Sequence, residues 1–308
     1  MIPQNRIQNS GAVKGLIVGA YGRQFEVRLA DEQAGRMVLM CSTRGKKGQY
    51  VCGDEVEVTV SGDTQGVIES LLPRRSIFHR VDAFKEKLIA ANVTQVVIVV
   101  ATEPGFSDEL IMRCLCAVES QGLTGLIVLN KCDLTSHLQT GRDLLAPFAR
   151  LGHLVLEMNA RSGDLDGLRR HLAGHISLLI GQSGMGKTTL LNVLVPGTAA
   201  RTGILSDALN SGKHTTTHAR LYDLPGGGSL IDSPGLQAFG LTQLSSGELE
   251  DGFRELRPFR GKCRFRDCHH DREPDCAFRA AVASGEIDAR RFKVFQELLA
   301  DHLKKPQY

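Results

Sequence analysis

The chain has no tryptophan, and aromatic residues make up only 5% of its 308 positions. No apolar run is long enough to cross a bilayer; the longest, Val96–Ala101, has the length of a buried strand. The polar segment Met1–Gly11 lacks the apolar centre of a secretory signal. There is no internal repeat and no low-complexity segment, so neither a repeat array nor a biased tail is expected. A large charge excess is also missing, the formal net charge being +3. These absences leave an ordinary soluble protein. It is expected in the cytoplasm, with no membrane partner, and at 308 residues it has room for two or three domains.

What charge there is falls unevenly. Lys plus Arg against Asp plus Glu stands at 11 to 8 over residues 1–80, 13 to 17 over 81–251 and 13 to 9 over 252–308. Basic ends around an acidic middle suit a polyanion such as nucleic acid, or simple solubility, equally well. Of the eight cysteines, Cys41, Cys52, Cys114, Cys116 and Cys132 are scattered and read as reduced thiols. Cys263, Cys268 and Cys276 cluster with histidine, which without a secretory signal reads as metal rather than disulfide.

The residue pattern changes twice along the chain. Residues 11–72 hold five β-rich stretches, at 12–20, 24–29, 37–42, 55–61 and 66–71, with Gly, Asp and Lys between them. That pattern fits a small barrel such as an OB-fold, a shape that often binds oligonucleotides. Its most basic tip is the loop 44–49, and Pro73-Arg74-Arg75 marks a linker. From about residue 82, strands (93–101, 125–129, 153–158, 176–180) alternate with helices (108–121 with Ser107 as N-cap, 142–151, 164–172, 187–194). Alternation of this kind predicts a mostly parallel sheet with helices on both faces. Further helices are predicted at 245–257, 277–284 and 288–303.

Gly181-Gln182-Ser183-Gly184-Met185-Gly186-Lys187-Thr188 matches G-x-x-x-x-G-K-[ST] between a predicted strand and a predicted helix. Its glycines let backbone N–H groups face phosphates, Lys187 reaches the β- and γ-phosphates, and Thr188 offers its hydroxyl to Mg²⁺. Residue frequencies give this pattern by chance in about one chain in a hundred. Asn130-Lys131-Cys132-Asp133 follows an apolar strand. Asp133 can accept from guanine N1 and N2, which adenine cannot offer, and facing the wrong base it would be left unpaired. Asn130 would touch the base edge and brace the phosphate loop, and the Lys131 stem can pack on the ring. Together the two motifs select GTP/GDP over ATP. Asn159-Ala160 lies where GTPases often carry Ser-Ala, with the Ala160 N–H expected to donate to guanine O6.

Asp232-Ser233-Pro234-Gly235 matches D-x-x-G after a short apolar strand, placing Asp232 near Mg²⁺ and Gly235 at the γ-phosphate. Between these motifs, Gly212–His218 is where a switch loop must supply a Thr ligand. Thr215, Thr216 and Thr217 all qualify, with Thr216 named as the candidate. Leu236 stands where a water-positioning Gln is common, so intrinsic hydrolysis should be slow. His214 is the nearest group able to polarise water. The base reader precedes the phosphate loop, the reverse of the usual order, which points to a circular permutation.

Cys263-x₄-Cys268-x-His270-x₅-Cys276 offers three thiolates and an imidazole, a full tetrahedral set for one structural Zn²⁺ with no open position. His269 is the adjacent alternative ligand. Arg260, Lys262, Arg264, Arg266 and Arg272 surround the cluster.

Taken together, the chain resembles the RsgA family of small-ribosomal-subunit biogenesis GTPases. The carriers are Pro73-Arg74-Arg75-Ser76, Ala90-Ala91-Asn92-Val93, Asn130–Asp133, Gly181–Thr189, His214–Thr217, Asp232–Gly235 and Cys263–Cys276. Asn159 for Ser, and Lys213 for Arg or Gln, depart from the family pattern. The resemblance implies a multidomain α/β protein. It would have an N-terminal OB-fold β-barrel that binds RNA (1–72), a circularly permuted P-loop GTPase domain (73–244) and a C-terminal helical zinc-knuckle domain (245–308). It implies action on the small (30S) subunit and its 16S rRNA late in maturation, with hydrolysis stimulated by the subunit; nothing in the sequence demands a dimer, and a monomer is expected. It also implies a hydrolytic role for His214 beside Lys187, and a nucleotide site reaching Thr189. Because the D-x-x-G segment leads straight into the zinc domain, a γ-phosphate-dependent shift there could reposition that domain. The alternative is an rRNA-binding factor that senses GTP/GDP with negligible turnover.

Overall fold

The computed structural model describes residues 12–30, 37–44, 50–82, 85–197, 219–232, 241 and 244–303. Among these residues no helix is long and apolar enough to cross a membrane.

The first five strands are β1 (Val13–Tyr21), β2 (Gln24–Leu29), β3 (Val38–Thr43), β4 (Glu55–Val60) and β5 (Gln65–Leu71). Strand order β1-β2-β3-β5-β4, with β4 returning to β1, closes a barrel. Every second residue turns inward, so Ile17, Val27, Leu39, Val56, Val58 and Ile68 fill its core. Fully burying an aliphatic side chain contributes about 1.5–3 kcal/mol, which suits a unit of this size. The hairpin β6 (Ile77–Asp82) and β7 (Lys85–Ala91) follows. It follows the expected linker Pro73-Arg74-Arg75 and was not read from the sequence, because its many charged residues hide the strand alternation.

The sheet continues through β8 (Gln95–Ala101), β9 (Thr124–Asn130), β10 (Leu154–Glu157), β11 (Ile176–Ile180), β12 (Arg220–Asp223) and β13 (Ser229–Asp232). Their order is β10-β9-β8-β11-β13-β12, all parallel except for the antiparallel β12–β13 pair. Helices α1 (Asp108–Glu119), α2 (Leu138–Arg150), α3 (Asp166–Leu172) and α4 (Lys187–Leu194) connect the strands. Alternate residues of β8 serve opposite layers. Val97 and Val99 pack with Leu168, Leu190 and Leu194, whereas Val96, Ile98 and Val100 pack with Ile111 and Leu115. Ser107 sits at the N-cap of α1 as expected, but its side chain makes no capping bond.

Edge strand β12 pairs antiparallel with β1 through Gly19 and Arg220, so barrel and nucleotide domain share one sheet. The C-terminal part holds α5 (Ser246–Asp251), α6 (Ala277–Ala283) and α7 (Ala289–Leu303). The helix expected over 245–257 stops at Asp251. Gly252 then sits so close to α1 that a Cβ would lie 2.4 Å from Cys116 Sγ. Phe253 and Leu256 therefore reach the core from turns rather than from a helical face.

Candidate nucleotide and metal sites

Strand β11 ends at the buried Ile180, and the phosphate loop leaves the sheet there before α4 opens at Lys187. Two loop positions require glycine. At Gly181 (φ +149°) a Cβ would lie 2.3 Å from the Val99 carbonyl oxygen, and at Gly186 (φ +92°) one would lie 2.3 Å from Asn130 Nδ2. The second approach marks a working contact. Asn130 is buried at the end of β9, and its Nδ2 donates to the Met185 carbonyl at 2.9 Å. Its Oδ1 accepts the Ala160 N–H at 3.0 Å, the N–H that the sequence assigned to guanine. One side chain thus fastens the phosphate loop and the 159–160 turn to the same strand end.

Around it, Lys131 adopts φ +61° and its Nζ donates to the Glu103 carbonyl at 2.8 Å. Sequence reasoning missed Glu103, whose only signal is the Glu-Pro-Gly turn that follows β8. Asp133 is exposed beside it. The Cys132 thiol donates to the Leu129 carbonyl at 3.3 Å, and burial raises its pKa, so it packs rather than reacts. Asn159 accepts from the Arg161 N–H at 3.0 Å and caps the short turn Ala160–Ser162. An Asn does here what a Ser would do.

Lys187 Nζ donates to the carbonyls of Gly181 at 2.6 Å and Gln182 at 2.8 Å. Burial lowers the Lys187 pKa against the pull of Asp232, and burial raises the Asp232 carboxyl against the pull of Lys187. Asp232 ends β13 opposite Leu179 on β11, so this half-sunk pair lies at the C-terminal ends of parallel strands. Thr188 and Thr189 occupy the first turn of α4, Gly184 packs against Pro104, and Ser183 is exposed. An ammonium aimed along a loop of backbone N–H groups, with a carboxylate beside it, suits a polyphosphate carrying a divalent cation. His214, Thr216 and Gly235 lie outside the described residues.

The Cys/His cluster is built. His270 Nδ1 lies 3.6 Å from Cys263 Sγ, 3.6 Å from Cys268 Sγ and 3.4 Å from Cys276 Sγ. Cys263 and Cys276 sulfurs are 3.9 Å apart, and all four donor atoms lie within 4.8 Å of one another. A tetrahedron with Zn–S of about 2.3 Å and Zn–N of about 2.0–2.1 Å has S···S edges of roughly 3.8 Å and S···N edges of roughly 3.6 Å. The donors therefore stand close to the corners that such an ion needs, and the group could hold a metal ion. The Cys268 thiol is pushed up to about 12, by burial first and then by the neighbouring sulfurs, a crowding that a bound cation would relieve.

The choice between the two histidines is made by the backbone. His270 adopts φ +60°, is buried and stacks on Phe278 at 4.0 Å between centroids, whereas His269 is exposed. Two carboxylates that the sequence did not flag support the loop. Glu250 Oε1 lies 3.3 Å from His270 Nε2, which leaves Nδ1 as the metal-facing atom. Glu273 accepts N–H groups from His269, Asp271 and Arg272. With its own N–H first, then that of His269, these hold its carboxyl down to about 2.

Comparison with known proteins agrees with this geometry. The RsgA GTPase family model matches residues 71–242. The small ribosomal subunit biogenesis GTPase RsgA of Nitrosospira multiformis is 48% identical over 291 residues, covering 94% of this chain and 91% of that one. Its counterpart in Ralstonia nicotianae is 47% identical over 292 residues, 92% of this chain and 91% of that one. The crystal structure of YjeQ from Thermotoga maritima superposes with a TM-score of 0.73 at 28% identity, over 96% of this chain and all (100%) of that one. YloQ, described as a circularly permuted GTPase, gives the same fold, with a TM-score of 0.73 at 24% identity over 99% of this chain and 100% of that one. The permuted motif order, the barrel ahead of it and the metal-competent Cys/His cluster behind it thus have one explanation: the chain belongs to the RsgA GTPase family of GTP-hydrolysing enzymes.

Proposed function

We propose that this GTPase binds the small (30S) ribosomal subunit through its 16S rRNA late in subunit maturation, and that the subunit stimulates its hydrolysis of GTP to GDP. The observation that carries this reading is near full-length similarity to proteins named for small ribosomal subunit biogenesis. Leu236 in place of a water-positioning Gln supports a low basal rate that a partner raises. Chain segments 1–72, 73–244 and 245–308 then act as RNA-binding barrel, GTPase domain and zinc domain of a cytoplasmic monomer.

In this reading Asp133, Lys131, Cys132 and the 159–160 turn frame guanine, and Asn130 keeps that frame in register with the phosphate loop. Residues 181–189 cradle the phosphates. Mg²⁺ would be held through Thr188 and Thr216, with Asp232 behind it, and would neutralise charge developing on the phosphate oxygens. Gly235 senses the γ-phosphate, Lys187 stabilises the transferring group, and His214 polarises the attacking water. Zn²⁺ on Cys263, Cys268, His270 and Cys276 is structural, since four protein ligands leave no open position.

The test is GTP turnover by purified protein alone, with isolated small subunits, and with large subunits. Stimulation by small subunits only is expected. Equal rates in all three arms would sink the proposal.

A further inference from the structure

Of the described aromatic residues, Phe265 alone is exposed, at 42% of its surface. It does not lack an apolar home. Phe253, Phe278, Phe292 and Phe295 form a ring cluster under the same metal loop, and Phe265 stays out of it. Its backbone has little freedom to hide it, because the flanking cysteines, Cys263 and Cys268, both turn their sulfurs inward to the cluster. The Arg264 guanidinium lies 5.5 Å from the ring centroid and is anchored by Asp275 at 2.8 Å. Lys262 and Arg266 are exposed, and among the described residues neither has an ion-pair partner. A solvent-facing ring beside unneutralised cations suits a flat, electron-rich ring that carries negative charge alongside it.

We propose that Phe265 is a stacking platform for one unpaired base of RNA, with Lys262 and Arg266 holding the adjoining phosphates. This rests on the reading that the protein works on the ribosomal subunit, and it names where an rRNA base would be gripped. Pinning the ring between metal ligands means that little conformational entropy is lost on contact.

The absence of tryptophan supplies a clean probe, since the indole of the full-length, metal-loaded Phe265→Trp variant is the sole one in the chain. Its emission should be quenched by a single-stranded 12-mer RNA and much less by the same sequence as a duplex. On small subunits Phe265→Leu should weaken binding by about 10- to 100-fold, while Phe265→Trp retains affinity. Lys262→Ala and Arg266→Ala should each reduce the salt slope of binding by about one. Metal content and thermal midpoint should stay as in the parent for all four variants. Parental subunit affinity in Phe265→Leu would overturn the platform. So would an indole that responds to subunits but not to single-stranded RNA, which would mark a protein contact instead. Failure of the parent protein to bind small subunits at all would remove the wider proposal, and the 12-mer would still judge Phe265 by itself.

Discussion

The nucleotide domain is flanked by two units attached in opposite ways. The barrel is joined by backbone. Strand β1 pairs with β12, Asn92 Nδ2 donates to the Gly53 carbonyl at 2.9 Å, and its Oδ1 accepts the Arg75 N–H at 2.8 Å. The ion pairs over this seam, Arg28 with Asp223 and Arg220 with Glu26, are partly exposed. The C-terminal unit is joined by side chains. Within that unit Arg291 and Glu255, each with 5% of the side chain exposed, form a buried pair that abuts α2. The Arg291 guanidinium lies 4.9 Å from the Phe148 ring centroid and 5.8 Å from that of Phe253. Glu119 of α1 collects Arg254 at 2.6 Å and Arg257 at 2.8 Å.

The difference assigns them different roles. Strand β12 follows the segment 212–218 proposed as a switch, so a backbone seam there places the barrel in line with any movement of that strand. The other unit rests on α1 and α2 through Glu119 with Arg254 and Arg257, Asp108 with Arg290, and Phe148 under Arg291. A shift of residues 233–243 that repositioned the C-terminal unit would have to break the Glu119 pairs with Arg254 and Arg257 and the Arg291 contact with Phe148. Movement of the barrel would have to adjust the short β1–β12 pairing, the Asn92 hydrogen bonds and two partly exposed ion pairs.

With Zn²⁺ in the Cys/His cluster as proposed, its removal should sharpen the contrast most, since binding of structural zinc is on the order of 10 kcal/mol. After chelation, amide protection should vanish from residues 263–276 and persist in β1 and β2, as read by hydrogen exchange. Arg291→Met comes next. Leaving Glu255 buried and unpaired should cost about 3–5 kcal/mol in urea unfolding, and adding Glu255→Leu should recover most of it.

Acid probes the same flank. His153 lies 3.8 Å from Glu119, yet burial and then Arg254 lower its pKa to about 4, so it is neutral in the fold and the pair is not an ion pair at neutral pH. Its stability contribution is complete above its ordinary value of about 6.5, because protons bind the unfolded chain first, and it is lost as pH falls towards 4. The loss should reach up to roughly 3 kcal/mol, and His153→Gln should remove that slope.

The barrel seam should break at its backbone. In Gly53→Ala a Cβ would lie 2.1 Å from the Ala91 carbonyl oxygen at φ +92°, with an expected cost of about 2 kcal/mol in thermal unfolding. The smallest effect is expected for Glu26→Gln, under about 1 kcal/mol, because that pair is partly solvated. A larger loss there than in Arg291→Met would reverse the comparison.

Legibility followed the range of the interaction. Strand 24–29, strand 176–180 and helix 187–194 were read at their observed bounds, because alternation and helical spacing are local. The helix over 245–257 was read too long, because Leu249, Phe253 and Leu256 keep an apolar spacing that turns satisfy as well. The choice of His270 needed the left-handed backbone at that residue. Glu250 and Glu273 were invisible, because an acidic residue in a polar stretch looks the same whether it faces water or a partner, and Glu103 because it takes Lys131 through a backbone carbonyl that any residue carries.

By itself the sequence determined which chemical groups exist and in what order: a phosphate-loop motif, a guanine-reader motif placed ahead of it, and three thiols and an imidazole within fourteen residues. These are short-range patterns whose backbone demands, such as glycine at 181 and 186, are written into the residues that meet them. Only the tertiary structure decided that Asn130, expected to brace the phosphate loop, would also take the Ala160 N–H, that Glu250 would brace His270, and that Arg291 would lie buried over Phe148. Those contacts join residues far apart in the chain, and their energy depends on burial and direction, which exist only once the elements have packed.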